Sequence, residues 1–223
     1  MPSGGGMRGG RSRSCDVDKS DQVSATMTSE RDPAGLDAIA GAVRKQAARG
    51  APPVHLWNPP FCGDIDLRIA SDGTWLYLNS PIGRPALVKL FSSVLKREMG
   101  KYYLVTPVEK VGIVVDDAPF LAVEMQVRQQ PEGSVLHFRT NVDDWVSCGP
   151  GHALRFEPER HSGGLKPYLH VRADLWAKLT RALFYDLVER GEEREIGGQL
   201  LFGVSSGDAF YVMAPADSLK AFM

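Results

Sequence analysis

The chain has 223 residues, with 26 Lys and Arg against 27 Asp and Glu and 43% hydrophobic residues, close to an average globular composition. A net charge of −1 excludes the broadly basic surface that duplex DNA demands, and three cysteines exclude a disulfide framework and point to a reducing, cytoplasmic setting. The longest apolar runs, Gly112–Val115 and Phe120–Val123, fall far short of the roughly 18 residues of a membrane span, so no membrane partner is predicted.

Residues 1–32 contain no Leu, Ile, Phe, Tyr or Trp, but six Ser, five Gly and four Arg. Such a stretch buries too little apolar area to offset its ordering entropy and is read as a disordered tail, with Met7 and Met27 as alternative initiators. Arg8, Arg11 and Arg13 lack a following apolar region, and Asp16, Asp18 and Asp21 do not suit a transit peptide.

Asp32 and Pro33 open a predicted helix whose stripe is Leu36, Ile39, Ala40, Val43 and Ala47, closed by Gly50 and Pro52-Pro53. A proline- and aromatic-rich loop follows from Pro52 to Phe61. Asp64 to Ile69 alternates polar and apolar residues as a half-buried strand does, and Ser71-Asp72-Gly73 turns the chain back along Trp75–Leu78. A second helix is predicted from Pro85, with stripe Leu87, Leu90, Phe91, Val94 and Leu95 and a stop at Gly100.

From Tyr102 to Phe156, short apolar runs separated by turn residues predict an antiparallel meander. After a loop from Glu159 to Pro167, Tyr168 to Arg172 reads as one more strand. Asp174 then caps a predicted third helix ending near Arg190-Gly191, with Leu175, Trp176, Leu179, Leu183, Phe184, Leu187 and Val188 on its apolar face. Leu200–Val204 and Phe210–Met213 form a final hairpin. The order Tyr77-Leu78, Lys89-Leu90, Tyr103–Val105 is echoed by Tyr168-Leu169, Lys178-Leu179, Leu200–Phe202. The fold class is therefore α+β, two lobes with a duplicated strand–helix–strand core. The expected divisions are a tail at 1–32, an N-terminal lobe at 33–107, a β-rich C-terminal lobe with one helix at 108–215, and a C-terminal tail at 216–223.

The catalytic motifs fail on context. Gly203-Val204-Ser205-Ser206-Gly207 has the spacing of a nucleophile elbow, but it joins strand to strand, and no histidine lies after His170. Gly149-Pro150-Gly151 lacks the third glycine of a dinucleotide fingerprint, and no phosphate-binding G-x-x-x-x-G-K-[ST] occurs. Cys62 and Cys148 are isolated and the histidines have no metal-ligand spacing, so neither metal nor cofactor is expected. Asp64 and Asp66 project from one strand face about 7 Å apart. With Glu109 they offer an acid–base or metal set, although Arg68 on the same face is an ordinary ion-pair partner.

The polar residues at strand ends carry the leading expectation. Thr106, Glu109 and Lys110 follow one strand, and Arg139, Thr140 and Asn141 follow another. Tyr168, His170 and Arg172 share a face of a third, and Arg84 precedes the second helix. Arginine, lysine, threonine and asparagine are the side chains that an anionic ligand requires. Each position taken alone also fits a solvated sheet face.

Two long blocks resemble a known family. They are Trp57-Asn58-Pro59-Pro60-Phe61-Cys62-Gly63-Asp64-Ile65-Asp66 and Tyr103-Leu104-Val105-Thr106-Pro107-Val108-Glu109-Lys110. Gly73-Thr74-Trp75, Ser80-Pro81-Ile82-Gly83-Arg84-Pro85 and Phe138-Arg139-Thr140-Asn141 agree. Across residues 52–213 the chain resembles the bacterial family designated domain of unknown function 1285. That resemblance implies a duplicated α+β core, a second lobe similar to pleckstrin-homology-like domains, a ligand site between the lobes for a nucleotide-like molecule, and a signalling role.

The leading expectation is thus a cytoplasmic, non-catalytic protein that binds a nucleotide-like anion. Arg84, Lys110, Arg139 and Arg172 supply charge, Thr106, Thr140 and Asn141 donate hydrogen bonds, and Trp57, Tyr168 or Tyr185 stacks on a base. The alternatives are a protein-interaction module docking a protein partner through Pro52–Phe61, and an enzyme on a phosphorylated substrate using Asp64, Asp66 and Glu109.

Overall fold

The structure, a computed structural model, describes residues 39–44, 52–131, 133–159 and 164–217. The predicted tail at 1–32 and the ends of the first predicted helix lie outside the described residues. Residues 39–44 are helical, and Ile39, Ala40 and Val43 of the predicted stripe are buried. A single 3₁₀ turn, Val54–Leu56, lies in the proline-rich loop.

The first sheet is built from β1 (Phe61–Ile69), β2 (Trp75–Tyr77), β3 (Ser80–Pro81), β4 (Leu95–Glu98), β5 (Lys101–Val105) and β6 (Lys110–Val115), with helix α1 (Pro85–Ser93) between β3 and β4. Their order is β3-β2-β1-β6-β5-β4, and β1 runs parallel to β6. In β1 the alternation holds: Leu67 and Ile69 are buried while Asp64, Asp66 and Arg68 are exposed. Asp72 and Gly73 make the predicted turn. Asp72 accepts a hydrogen bond from the Thr74 amide at 2.9 Å, which holds its carboxyl below the usual range. Gly73 has φ 81°, and a Cβ there would sit 2.9 Å from the Leu121 side chain of the second sheet, so this turn has no room for another residue.

Helix α1 starts at Pro85 as predicted but ends at Ser93 rather than at Gly100. Met99 and Gly100 both have positive φ, 49° and 80°, which is the backbone of a tight hairpin. That turn folds Leu95–Glu98 onto β5, so of the predicted stripe Val94 caps the helix and Leu95 belongs to a strand.

The second sheet contains β7 (Phe120–Gln130), β8 (Gly133–Thr140), β9 (Trp145–Ser147), β10 (Leu154–Pro158), β11 (Leu165–Arg172) and β12 (Leu175–Leu179). Read from its β9 edge, the order is β9-β8-β7-β12-β11-β10, and β7 runs parallel to β12. Strand for strand this repeats the first sheet, including the parallel pair between first and last strands. The duplication is real but lies in a different register from the one expected: the shared unit is six strands, and Lys178-Leu179 ends a strand rather than lying in a helix. The predicted meander is likewise divided between two sheets.

The predicted helix from Asp174 is a second correction. Leu175, Ala177 and Leu179 are buried alternately with half-buried Trp176 and Lys178, the pattern of a strand. Ala173, with φ 46°, turns β11 into β12, and helix α2 begins only at Arg181 and runs to Glu189. A third, three-stranded sheet follows, formed by β13 (Glu192–Ile196), β14 (Gln199–Ser206) and β15 (Ala209–Pro215). The predicted hairpin is β14–β15. Ser206 anchors it, its hydroxyl donating to the Cys148 carbonyl at 2.8 Å and accepting from the Leu136 amide at 3.0 Å.

Both large sheets share one apolar layer. Leu67 and Trp75 from the first, with Phe91 of α1, pack in the same cluster as Phe120, Phe138 and Leu169 from the second. Each of the three fully buried phenylalanines contributes about 2–3 kcal/mol through burial alone. Polar contacts reinforce the junction: Arg97 of β4 pairs with Asp174 at 2.9 Å, and Lys89 of α1 with Asp143 at 3.7 Å. Among the described residues, no helix is long and apolar enough to cross a membrane.

Candidate functional site

The ten sequence-derived candidates fall into separate groups. Arg139, Thr140, Asn141 and Arg172 come together at the β8–β9 turn. Arg139 pairs with Glu124 at 2.7 Å and Asp143 at 3.1 Å, which holds Glu124 below the usual carboxylate range. Thr140 is fully buried and its hydroxyl accepts from the amides of Val142 and Asp144, while the Asn141 carbonyl oxygen accepts from the Leu121 amide at 3.0 Å. Arg172 donates to the Ser92 carbonyl at 2.6 Å and to Asp144 at 3.3 Å. Ser92 lies in the last turn of α1, where a cation complements the helix dipole. Burial pushes the Arg172 guanidinium down from its ordinary value, and Asp144 works against that. Of these side chains Arg172 reaches across to α1, while the partners of Arg139, Thr140 and Asn141 lie within the second sheet and its turns.

Thr106, Glu109 and Lys110 sit at the β5–β6 turn, where the buried Thr106 hydroxyl accepts from the Glu109 amide at 3.2 Å. Lys110 pairs with Glu98 at 2.9 Å and lies 5.1 Å from the centre of the Tyr103 ring. Hydrogen bonds from Lys96 and Lys110 hold the Glu98 carboxyl below its usual range. Arg84 is exposed at the N-cap of α1. On β11, His170 directs its two ring nitrogens at the carbonyls of Gly151 and Ala173, at 2.9 and 2.5 Å, with Trp176 edge-on at 5.0 Å. Tyr168 is buried and donates its hydroxyl to Asp117 at 2.6 Å; burial, then the Asp117 charge, pushes its phenol well above the ordinary value.

Tyr168 leads to the site with the most chemistry. A cavity of about 390 Å³ opens between the ends of β11 and β12 and helix α2, within the usual size range of small-molecule sites. Lys166, Lys178 and Arg181 bring three positive charges to it, and Phe184 and Tyr185 bring two rings. Tyr185 is half exposed, and Arg181 holds it by donating to the phenol oxygen at 2.9 Å one helical turn away. Lys178 lies 2.8 Å from Asp117, and Lys166 lies 3.9 Å from Asp117 and 3.7 Å from Glu159. Burial works against the Asp117 carboxylate, but the hydrogen bonds from Lys178 and Tyr168 and the charge of Lys166 outweigh it and hold it below the usual range.

The local rules of helix stability are broken here. The first turn of α2 has no acidic residue, Thr180 makes no side-chain capping bond, and Lys178 and Arg181 flank the positive end of the helix dipole. Cations set where a helix disfavours them raise the positive potential of the cavity. Lys166, Lys178 and Arg181 are absent from the sequence-derived set because 159–167 reads as a loop and 174–190 as one helix, which puts neither Lys166 nor Lys178 on a strand. The alternation Leu175, Ala177, Leu179 is the signal that brings them together.

The other chemistry resolves into structure. Asp64 and Asp66 are exposed on β1 and Glu109 lies in the β5–β6 turn, and among the described residues no group of three His, Cys, Asp or Glu is arranged to hold a metal ion. The Gly203–Gly207 segment is the end of β14 running into the turn to β15, and Ser205 bonds to Glu192 and Arg194. Cys148 is buried, which pushes its thiol up to about 11. Ser147 lies 2.9 Å from Nδ1 of buried His137, but Nε2 of that ring is buried with no partner among the described residues. The tautomer that avoids an orphaned N–H donates from Nδ1 to Ser147, so His137 is not placed to act as a base. Trp57 packs partly buried against the core, and its carbonyl accepts from Lys96 at 3.2 Å.

Comparison with known proteins gives a family and no activity. Residues 52–118 match the model of the N-terminal domain of the DUF1285 domain of unknown function, and residues 119–213 match its C-terminal domain. The division falls in the connection between the two six-stranded sheets. The chain is similar to a DUF1285 family protein from Silicibacter pomeroyi DSS-3, with 48% identity and a TM-score of 0.73 over 82% of this chain and 97% of that one. It is also similar to a DUF1285 family protein from Shewanella baltica OS155, with 32% identity and a TM-score of 0.45 over 56% of this chain and 91% of that one. No curated protein matches. With both family models matched in tandem across one continuous core, the chain belongs to the DUF1285 family.

Proposed function

We propose that the protein binds a small nucleotide-like anion in the cavity at the junction of β11, β12 and α2 and serves a regulatory role. The observation that carries this reading is the convergence of Lys166, Lys178 and Arg181 with the rings of Phe184 and Tyr185 around one cavity of ligand size. Two flexible ammonium groups and one guanidinium fork suit phosphate oxygens. A half-exposed tyrosine offers a face for a base. The stability given up at the start of α2 supports a functional origin for these charges, because local rules are broken where a site requires it. The pleckstrin-homology-like character expected of the second lobe belongs to the same proposal: an antiparallel run of strands leads into α2, and the cavity lies at their junction.

A thermal-shift panel of ATP, ADP, GTP and pyrophosphate on the full chain tests the reading. A ligand at a hundred times its dissociation constant raises the melting temperature by about 5–10 °C. The expected shift is lost in Lys178→Ala and Arg181→Ala. No shift with any of the four at millimolar concentration overturns the proposal.

A further inference from the structure

The cations of the cavity already face a carboxylate from the chain itself. Asp117, whose side chain is 15% exposed, holds Lys178 at 2.8 Å and Tyr168 at 2.6 Å. It belongs to neither sheet but to the connection at 116–119 between β6 and β7. Its neighbour Asp116 accepts two 2.8 Å hydrogen bonds from Arg68 of β1. Consecutive carboxylates in one short connection therefore grip the two sheets, Asp116 the first and Asp117 the second.

We infer that Asp117 is a built-in competitor for the anionic part of the ligand, so that occupancy of the cavity is coupled to the connection between the sheets. This inference rests on the nucleotide-anion reading of the cavity. A phosphate carries more charge and more acceptor oxygens than a carboxylate and is the stronger partner for Lys178 and Lys166. When it takes them, Asp117 keeps Tyr168 but gives up its ion pair, and one of the two grips on the connection loosens. The coupling is reciprocal: whatever positions Asp117 against Lys178 weakens ligand binding, and bound ligand weakens that contact. Arg68 fixes Asp116 and so fixes the adjacent residue, which makes a side chain of the first sheet a regulator of a cavity in the second.

Isothermal titration of ATP, and separately of pyrophosphate, into full-length wild type, Asp117→Asn and Arg68→Gln tests this. Asp117→Asn removes the competing charge and is expected to tighten both probes about tenfold. Arg68→Gln leaves every cavity residue in place at a half-exposed position. It is expected to tighten both about threefold by freeing the connection. Wild-type binding with equal or weaker binding by Asp117→Asn overturns the competitor and leaves the cavity reading intact. Tightening in Asp117→Asn with no change in Arg68→Gln overturns the coupling. Absence of binding in all three proteins overturns both this inference and the reading beneath it.

Discussion

His137 is the buried histidine of β8, and burial, followed by the charge of Arg128, pushes its imidazole below the ordinary value of 6.5. The unfolded chain takes up this proton near pH 6.5, while the folded chain takes it up only at lower pH. Proton uptake therefore favours unfolding, and the stability from neutral His137 is complete above pH 6.5 and is lost as the pH falls below it. Urea unfolding between pH 7.5 and 5 is expected to show stability falling towards acid, with a flatter profile in His137→Gln. Equal slopes in the two proteins contradict the assignment. At this scale much was legible, because apolar positions such as Leu67, Ile69 and Phe91 declare themselves by spacing. The partners of Arg172 were not: it donates to a carbonyl 80 residues away, and sequence spacing carries no trace of that contact.

Helix α2 and the strand before it show where elements can be confused. Leu175, Leu179, Leu183 and Leu187 recur every four residues, a spacing common to one face of a strand and to the stripe of a helix. The backbone changes state at Thr180 while this spacing continues unbroken, so periodicity alone runs strand and helix together. Thr180, a residue favoured at N-caps, marks the boundary. The same boundary sets a trade between stability and binding. Arg181→Glu places an anion where the helix dipole favours one and is expected to stabilise the fold by about 0.5 kcal/mol. It is also expected to abolish the ATP-induced rise in melting temperature. Loss of stability in that variant contradicts the claim that the cation is held there at a cost to the helix.

At the scale of the whole molecule, the two-lobed α+β organisation was legible from the order of strand and helix patterns, whereas the pairing of the strands was not. The parallel contacts of β1 with β6 and of β7 with β12 join segments separated by whole hairpins, and local pattern does not specify a distant neighbour. Once paired, the sheets arrange the charged residues in two ways. Arg139 and Arg172 are directed into structural contacts, Arg139 within the second sheet and Arg172 across to α1, and Lys166, Lys178 and Arg181 line a cavity. Photo-crosslinking of 8-azido-ATP to the full-length protein, with the modified peptide identified by mass spectrometry, separates these roles most directly. Saturable labelling of Tyr185 or its neighbours in α2, suppressed by excess ATP, is the predicted result; labelling confined to the β8–β9 turn around Arg139 and Arg172 contradicts the account.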